Sequence, residues 1–221
     1  MRLLDLFSGA GGAGFGYHRA GFEVVGVDIK PQPHYPFEFH QADALEYVAE
    51  HGHEFDAIHA SPPCQAFSQM CVCRPGLQLQ YPDLIQATRD ILVKIGKPYV
   101  IENVGGARKL LNSPLMLCGL EFGLKVYRHR YFETKPYMIG PAHRLHRDNS
   151  PGACHGLSKR GFITVCGNGG LGIEGGMKYA KQAMGIEWNI TRHEISEAIP
   201  PAYTEFIGKQ LMRYLEVEIG T

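Results

Sequence analysis

Three short runs in this sequence carry side chains of the kinds that do covalent chemistry. Ser61-Pro62-Pro63-Cys64-Gln65 holds a thiol, a strong nucleophile once ionised. Glu102-Asn103-Val104 holds a carboxyl that can give or take a proton and engage two polar atoms of a substrate at once. Arg128-His129-Arg130 holds two guanidiniums, suited to carbonyl or phosphate oxygens and to favouring a nearby thiolate. Each has a plainer reading taken singly. A cysteine is more often a small buried hydrophobe than a nucleophile, the glutamate could be a surface carboxylate, and an arginine could lie over a helix from a strand. Position decides between these readings.

The elements that must position these groups follow from the hydrophobic pattern. Leu3 to Phe7 reads as a short buried strand, followed by a helix to about Arg19 that Gly21 stops. Glu23 to Asp28 reads as a second strand and Phe39 to Gln41 as a third, leading through Asp43 into a helix that runs to about Glu50. Phe55 to Ala60 reads as a fourth strand, broken by Pro62-Pro63. Residues 66–81 read as a loop. Pro82 suits a first helical turn, and Leu84, Ile85, Thr88, Ile91, Leu92 and Ile95 mark that helix's buried face until Gly96 and Pro98 end it. Tyr99 to Ile101 is a fifth strand and Arg128 to Thr134 a sixth. A stripe from Tyr203 to Leu215 predicts a C-terminal helix. Strands alternating with helices predict an α/β fold with a mostly parallel sheet and helices on both faces. In such a sheet the carboxyl ends of the strands line one crevice, where Cys64 and Glu102 can meet.

A second site is expected at the same edge. Gly9-Ala10-Gly11-Gly12-Ala13-Gly14 matches G-x-G-x-x-G between a strand and a helix, with Asp28 ending the next strand. The glycines allow a tight turn and close backbone approach, and the acid can bind two vicinal ribose hydroxyls. Dinucleotide enzymes and adenosylmethionine enzymes both use this arrangement. Asp5, just upstream, places a carboxylate where a pyrophosphate would sit, which better suits the cationic amino-acid end of S-adenosylmethionine.

Composition bounds the class. The 221 residues are 44% hydrophobic and 20% charged, an ordinary globular balance for one domain, or one domain with a small appendage. No apolar run approaches the ~20 residues needed to span a bilayer, and the opening MRLLDLFSGAGG lacks a secretory apolar stretch, so a cytoplasmic protein is expected. Residues 1–60 carry three Lys/Arg against nine Asp/Glu, whereas residues 125–160 carry eight against two. The basic part fits a phosphate backbone, although two solvated surfaces of opposite sign would give the same count. The six cysteines form no disulfide framework. Cys71 and Cys73 with Cys154-His155 and His143-x-x-His146 lack the usual spacing of a zinc site, and no metal is expected.

Asp5-Leu6-Phe7-Ser8-Gly9-Ala10-Gly11-Gly12, Pro63-Cys64-Gln65 with Phe67-Ser68, Glu102-Asn103-Val104 and Arg128-His129-Arg130 resemble, in order, motifs of the cytosine-5 DNA methyltransferase family. Lys178 to Gly185 and Glu197 to Ala202 resemble weaker versions of its last two, and the compact length is similar to that of phage-type members. The resemblance spans nearly the whole chain except about 135–177. It implies a Rossmann-like S-adenosylmethionine-dependent fold, with a catalytic domain over 1–134 and 178–221 and a reduced target-recognition region over 135–177.

The resemblance also implies roles. Cys64 adds to carbon 6 of a cytosine flipped from duplex DNA, Glu102 holds N3 and the exocyclic amine, and Arg130, helped by Arg128, holds the O2 side. Cofactor contacts fall to Asp5, Phe7, Ser8, Gly9, Ala10, Gly11, Gly12, Asp28, Ile29, Asp43, Ala44 and Pro62, with Phe7 on the adenine, Asp28 on the ribose and Asp43 on the adenine amine. Loop 66–81 closes over the base. The short recognition region, with Arg144, Arg147, Lys159 and Arg160 together with His143 and His146 to grip phosphates, suggests a short or loose target sequence, since phosphate contacts position without specifying. No obligate protein partner is expected. The same chemistry on RNA or a free nucleotide, a non-catalytic binder of adenosylmethionine or DNA, and a nicotinamide oxidoreductase remain alternatives.

Overall fold

The computed structural model describes residues 1–63, 84–146, 158, 160–165 and 175–220. Cys64, loop 66–81, Arg147, Cys154-His155 and Lys159 lie outside the described residues. A seven-stranded sheet organises the chain. Its strands are β1 (Arg2–Leu6), β2 (Glu23–Asp28), β3 (Glu38–Gln41), β4 (Ala57–Ala60), β5 (Tyr99–Asn103), β6 (Leu115–Leu117) and β7 (Arg130–Lys135), in the order β3-β2-β1-β4-β5-β7-β6. The first five run parallel, whereas β7 is antiparallel to both β5 and β6. The α/β class with a mostly parallel sheet is the one the sequence predicts.

Successive residues of each strand point to opposite faces, so runs such as Leu3-Leu4 and Val24-Val25 feed two cores at once. On one face Leu3, Val24, Ala57 and Val100 pack with Tyr17 of helix α1 (Gly12–Arg19) and Tyr203, Ile207 and Leu211 of the C-terminal helix, α6 (Pro201–Ile219). On the other, Leu4, Val25, Ile58 and Ile101 pack with Val48 of α2 (Ala44–His51) and Ile85 and Leu92 of α3 (Ile85–Ile95). Each fully buried aliphatic side chain contributes roughly 1.5–3 kcal/mol. Gly16 sets the approach of α6 to α1: a Cβ there would run into the Thr204 side chain and the Pro201 carbonyl. A buried ion pair fastens α3 to β7. Arg89 Nε donates to Glu133 Oε1 at 2.9 Å and Arg89 NH2 to Oε2 at 2.7 Å, and Tyr99 and Asn112 donate to the same carboxylate.

The structure departs from the pattern reading in several places. β1 ends at Leu6, because Phe7 turns into the left-handed region at φ 55°. β4 starts at Ala57 rather than Phe55. The expected sixth strand opens at Arg130, since Arg128 has φ 35°, and β6 has no counterpart in the sequence reading. Two more helices, α4 (Gly176–Met184) and α5 (Arg192–Glu197), cap the sheet's functional edge through a third cluster containing Ala180, Met184, Ile190 and Ile195. The described residues between 136 and 165 contain no helix or strand, as their composition suggests.

Candidate active site

The strand ends build the site. The loop after β1 (Phe7, Ser8, Gly9, Ala10), the end of β2 (Asp28 to Gln32), the exit of β4 (Ser61 to Pro63), Glu102 of β5 and Arg130 of β7 all line one cavity of about 450 Å³. That size falls within the range of small-molecule sites. Thr191, His193, Glu194 and Glu197 of the α5 segment, with Ala198 and Ile199, close its remaining wall.

Glu102 and Arg130 meet because β7 is antiparallel to β5. A strand running the other way starts where its neighbour ends, and the register sets Glu102 opposite Phe132 and Asn103 opposite Tyr131. Arg130 Nε lies 3.0 Å from Glu102 Oε1, too poorly aligned to count as a hydrogen bond, so that buried oxygen has none. Burial pushes the Glu102 carboxyl up to about 7, and the guanidiniums of Arg130 and Arg128 only partly oppose this. A carboxyl so poised can either donate or accept a proton near neutral pH.

The chain before Cys64 is anchored from two sides. Asn103, fully buried, donates from Nδ2 to the Pro62 carbonyl at 3.0 Å, and Ser61 Oγ donates to the Phe7 carbonyl at 3.2 Å. Pro63, the residue preceding Cys64, lines the cavity. The sequence reading singled out the Glu102-Asn103-Val104 run but gave Asn103 no role. Its position beside a candidate acid was the available signal.

The glycine loop is braced by Asp28, whose Oδ2 accepts from Gly9 N and Oδ1 from Lys30 N, both at 3.0 Å. Gly9 and Gly11 take φ of 49° and 88°, the left-handed turn that glycine makes without strain. Of the expected cofactor contacts, Phe7, Ser8, Gly9, Ala10, Gly12, Asp28, Ile29 and Pro62 line the cavity. Ser8 Oγ is buried without a partner, and Ile29 is 65% exposed at the rim.

Five expected residues sit elsewhere. Asp5 is fully buried and absent from the cavity wall, where it accepts from the Tyr35 hydroxyl and the Gly14 N–H. Burial pushes its carboxyl up to about 8, which favours its uncharged form. Gly11 and Ala44 are buried away from the cavity wall. Asp43 is the N-cap of α2, with Oδ1 accepting from Leu45 N and Glu46 N at 2.9 and 3.1 Å. Arg128 is absent from the cavity wall: Nε, NH1 and NH2 donate to the carbonyls of Ala198, Val165 and Ser196 at 2.9, 2.5 and 2.7 Å. It fastens the C-terminal wall to the sheet.

Sequence reasoning also missed that wall. Trp188 stacks on Phe15 with ring centroids 4.6 Å apart and donates to the Ala10 carbonyl, and Glu194 bonds His34 at 2.9 Å. The isolated tryptophan was the one available sign. Among the described residues no helix is long and apolar enough to cross a membrane.

Comparison with known proteins gives the family and the fold. A family model for C-5 cytosine-specific DNA methylases matches residues 1–116. The chain is 32% identical over 124 residues to the type II methyltransferase M.FnuDI of Fusobacterium nucleatum, covering 51% of this chain and 35% of that protein. It is 29% identical over 126 residues to the type II methyltransferase M.HgiDI of Herpetosiphon aurantiacus, covering 49% and 38%. The match thus spans little more than a third of either relative's length. Among solved structures, a putative DNA modification methyltransferase encoded within an E. coli prophage is similar with TM-score 0.64 and 18% identity over 98% of this chain and 99% of that one. The Dnmt2 methyltransferase of S. pombe is similar with TM-score 0.57 and 14% identity over 97% and 99%. At such identities these likenesses establish the fold, a Rossmann-like methyltransferase fold, and the model match establishes the lineage: the chain belongs to the C-5 cytosine-specific DNA methylase family.

Proposed function

We propose that this protein transfers a methyl group from S-adenosylmethionine to carbon 5 of cytosine in DNA through a covalent adduct with Cys64. The observation that carries this reading is the convergence of Glu102 and Arg130 on the same cavity as Phe7, Asp28 and the Pro62-Pro63 run that leads into Cys64.

The residues fit the cofactor. Asp28 keeps lone pairs beyond those used by Gly9 and Lys30, enough to accept from a ribose diol, and the Phe7 ring offers an apolar face for adenine. Asp28, Glu194 and Glu197 give the wall acidic groups that suit a sulfonium and an ammonium. When bound, S-adenosylmethionine supplies the electrophilic methyl group that carbon 5 takes up.

The protein's part is to make carbon 5 a nucleophile. The Cys64 thiolate forms a bond to carbon 6, and the ring electrons move toward N3, where Glu102 delivers its proton. A Glu102 carboxyl near 7 is protonated often enough to do so at neutral pH. Arg130 holds the O2 side and offsets the charge that builds there. After methylation the carbon 5 proton departs to a base, the carbon 6–sulfur bond breaks, and the N3 proton returns to Glu102. The basic segment with Arg144 and Arg160, and the exposed Tyr137, Ile139 and Leu145 beside it, supply contacts to a nucleic-acid backbone and its bases.

Supplying duplex DNA, transfer RNA and dCMP as alternative acceptors with labelled S-adenosylmethionine tests the substrate. Label in duplex DNA as 5-methylcytosine is expected. Label only in RNA or dCMP would keep the chemistry and overturn the DNA assignment.

A further inference from the structure

Outside the cavity, four side chains from three separate segments converge on one point. Cys118 is fully buried at the end of β6, His129 precedes β7, and His143 and His146 come from the irregular segment that follows it. One ligand atom from each lies within 4.8 Å of all the others. None of the four lines the cofactor cavity. We propose that Cys118, His129, His143 and His146 form a tetrahedral, structural zinc site.

Distances support a metal rather than a chance cluster. Zinc bonds of 2.0–2.3 Å set tetrahedral ligand-to-ligand edges of about 3.3–3.8 Å. Cys118 Sγ and His146 Nε2 are already 3.4 Å apart, so the group needs to contract by about one ångström at its widest edge. His129 Nε2 is buried and has no hydrogen-bond partner, the condition of a nitrogen that awaits a ligand.

The surroundings carry the second layer that metal sites need. Glu121 Oε1 lies 3.0 Å from His143 Nδ1, which leaves Nε2 of that ring for the metal. The same carboxylate accepts from Cys118 N at 3.1 Å and from Arg144 N at 3.0 Å. One buried side chain therefore orients two ligands, Cys118 and His143, and the segment that leads from His143 to His146. His146 stacks between Tyr127 and His129, with centroid distances of 3.8 and 4.9 Å, which fixes the ring planes.

Donor chemistry selects the ion. Three imidazoles and one thiolate suit zinc, and four protein ligands leave no open position for a substrate, so the role is structural. On binding, Cys118 releases its thiol proton to solvent and forms the sulfur–zinc bond. The ion would tie the segment carrying Arg144 to the residue adjacent to Arg130, joining the nucleic-acid face to the candidate catalytic edge.

The test uses the full chain. Elemental analysis of protein purified without chelator is expected to find one zinc per chain, and cobalt substitution to give tetrahedral visible bands with a thiolate-to-cobalt charge-transfer band. Cys118→Ser is expected to lose the charge-transfer band. Should Cys118→Ser fail to fold, His143→Ala alters an exposed side chain and still has to bring zinc content to near none. A Cys71→Ser, Cys73→Ser double variant is expected to retain the metal. Chelation should lower Tm in wild type and leave His143→Ala unmoved. Metal-free wild type that takes up no zinc from a micromolar buffered solution would overturn the proposal. So would zinc retained in full by Cys118→Ser and His143→Ala, which would assign it to other residues.

Discussion

Replacing Glu102 by Gln separates what this side chain costs the fold from what it does in the site. Gln keeps the shape and cannot ionise. In the wild type, burial holds the Glu102 proton more tightly in the folded protein, at about 7, than in the unfolded chain, near the ordinary 4.5. The stability tied to that proton is complete below pH 4.5 and is lost as pH rises to about 7. At about 1.36 kcal/mol per pH unit, the loss across this window comes to about 3 kcal/mol. Glu102→Gln lacks this loss. Its stability relative to wild type should therefore climb by about 3 kcal/mol between pH 4.5 and 7 and then level off. The attraction of Arg130, 3.0 Å away, is already contained in the Glu102 value near 7 and adds no further pH dependence. Asp5, pushed up to about 8 by burial, titrates in both proteins and cancels in the difference. Urea unfolding of both proteins from pH 4.5 to 8.5 measures the curve, and methyl transfer by the variant should be nearly abolished. A flat difference, or one that falls as pH rises, would refute the reasoning, because it would mean that Arg130 outweighs burial and keeps Glu102 charged.

Three other perturbations follow from named contacts. Glu133→Ala leaves Arg89 buried without its partner and should cost about 3–5 kcal/mol in urea unfolding, and pairing Glu133→Leu with Arg89→Met should recover most of it; a single-variant cost below about 1 kcal/mol would contradict the buried-pair account. Gly16→Ala forces a methyl group into Thr204 and the Pro201 carbonyl and should cost about 3 kcal/mol or more, read as a fall in Tm, and a normal Tm would mean α6 does not pack as closely as described. Asp28→Ala removes the proposed ribose acceptor and the brace on Gly9, at about 1.5–3 kcal/mol, so calorimetry should show S-adenosylmethionine binding weakened by about ten- to a hundredfold or more. Unchanged affinity would move the cofactor to another site.

Much of the framework was legible in the sequence, for reasons that trace to single residues. Strands such as Val24-Val25 and Ile58 are continuous apolar runs because both faces of the sheet are covered, and Gly96, at φ 77°, ends α3 where its lack of a Cβ allows. Asp43 caps α2 by local bonds to Leu45 N and Glu46 N, at the helix start that the sequence pattern marks. What escaped was decided at long range or on short segments. The three residues of β6 are too few to show a period. Phe7 reads as strand because it is apolar, yet its backbone turns to start the glycine loop. Arg128 and Arg130 look equivalent, and only carbonyls dozens of residues away distinguish the clamp from the site arginine. Asp5 lies upstream of the loop as expected, and that its side chain is buried against the Tyr35 hydroxyl is set by a residue thirty positions on. The ligands of the proposed zinc site come from segments whose spacing resembles no familiar motif, so convergence of Cys118 and His129 with the His143-x-x-His146 pair emerges only in three dimensions.

The central claim is that Cys64 bonds to carbon 6 of a cytosine whose carbon 5 then receives the methyl group. Duplex DNA containing 5-fluorocytosine tests it most directly, because fluorine at carbon 5 cannot depart as the proton does and the adduct cannot resolve. Incubated with S-adenosylmethionine, the wild-type protein should become covalently joined to this DNA, with peptide mass spectrometry placing the bond on Cys64, while Cys64→Ser should form none. On ordinary duplex DNA the wild type alone should yield 5-methylcytosine. Methyl transfer that survives in Cys64→Ser, or an adduct on any other residue, would contradict the account.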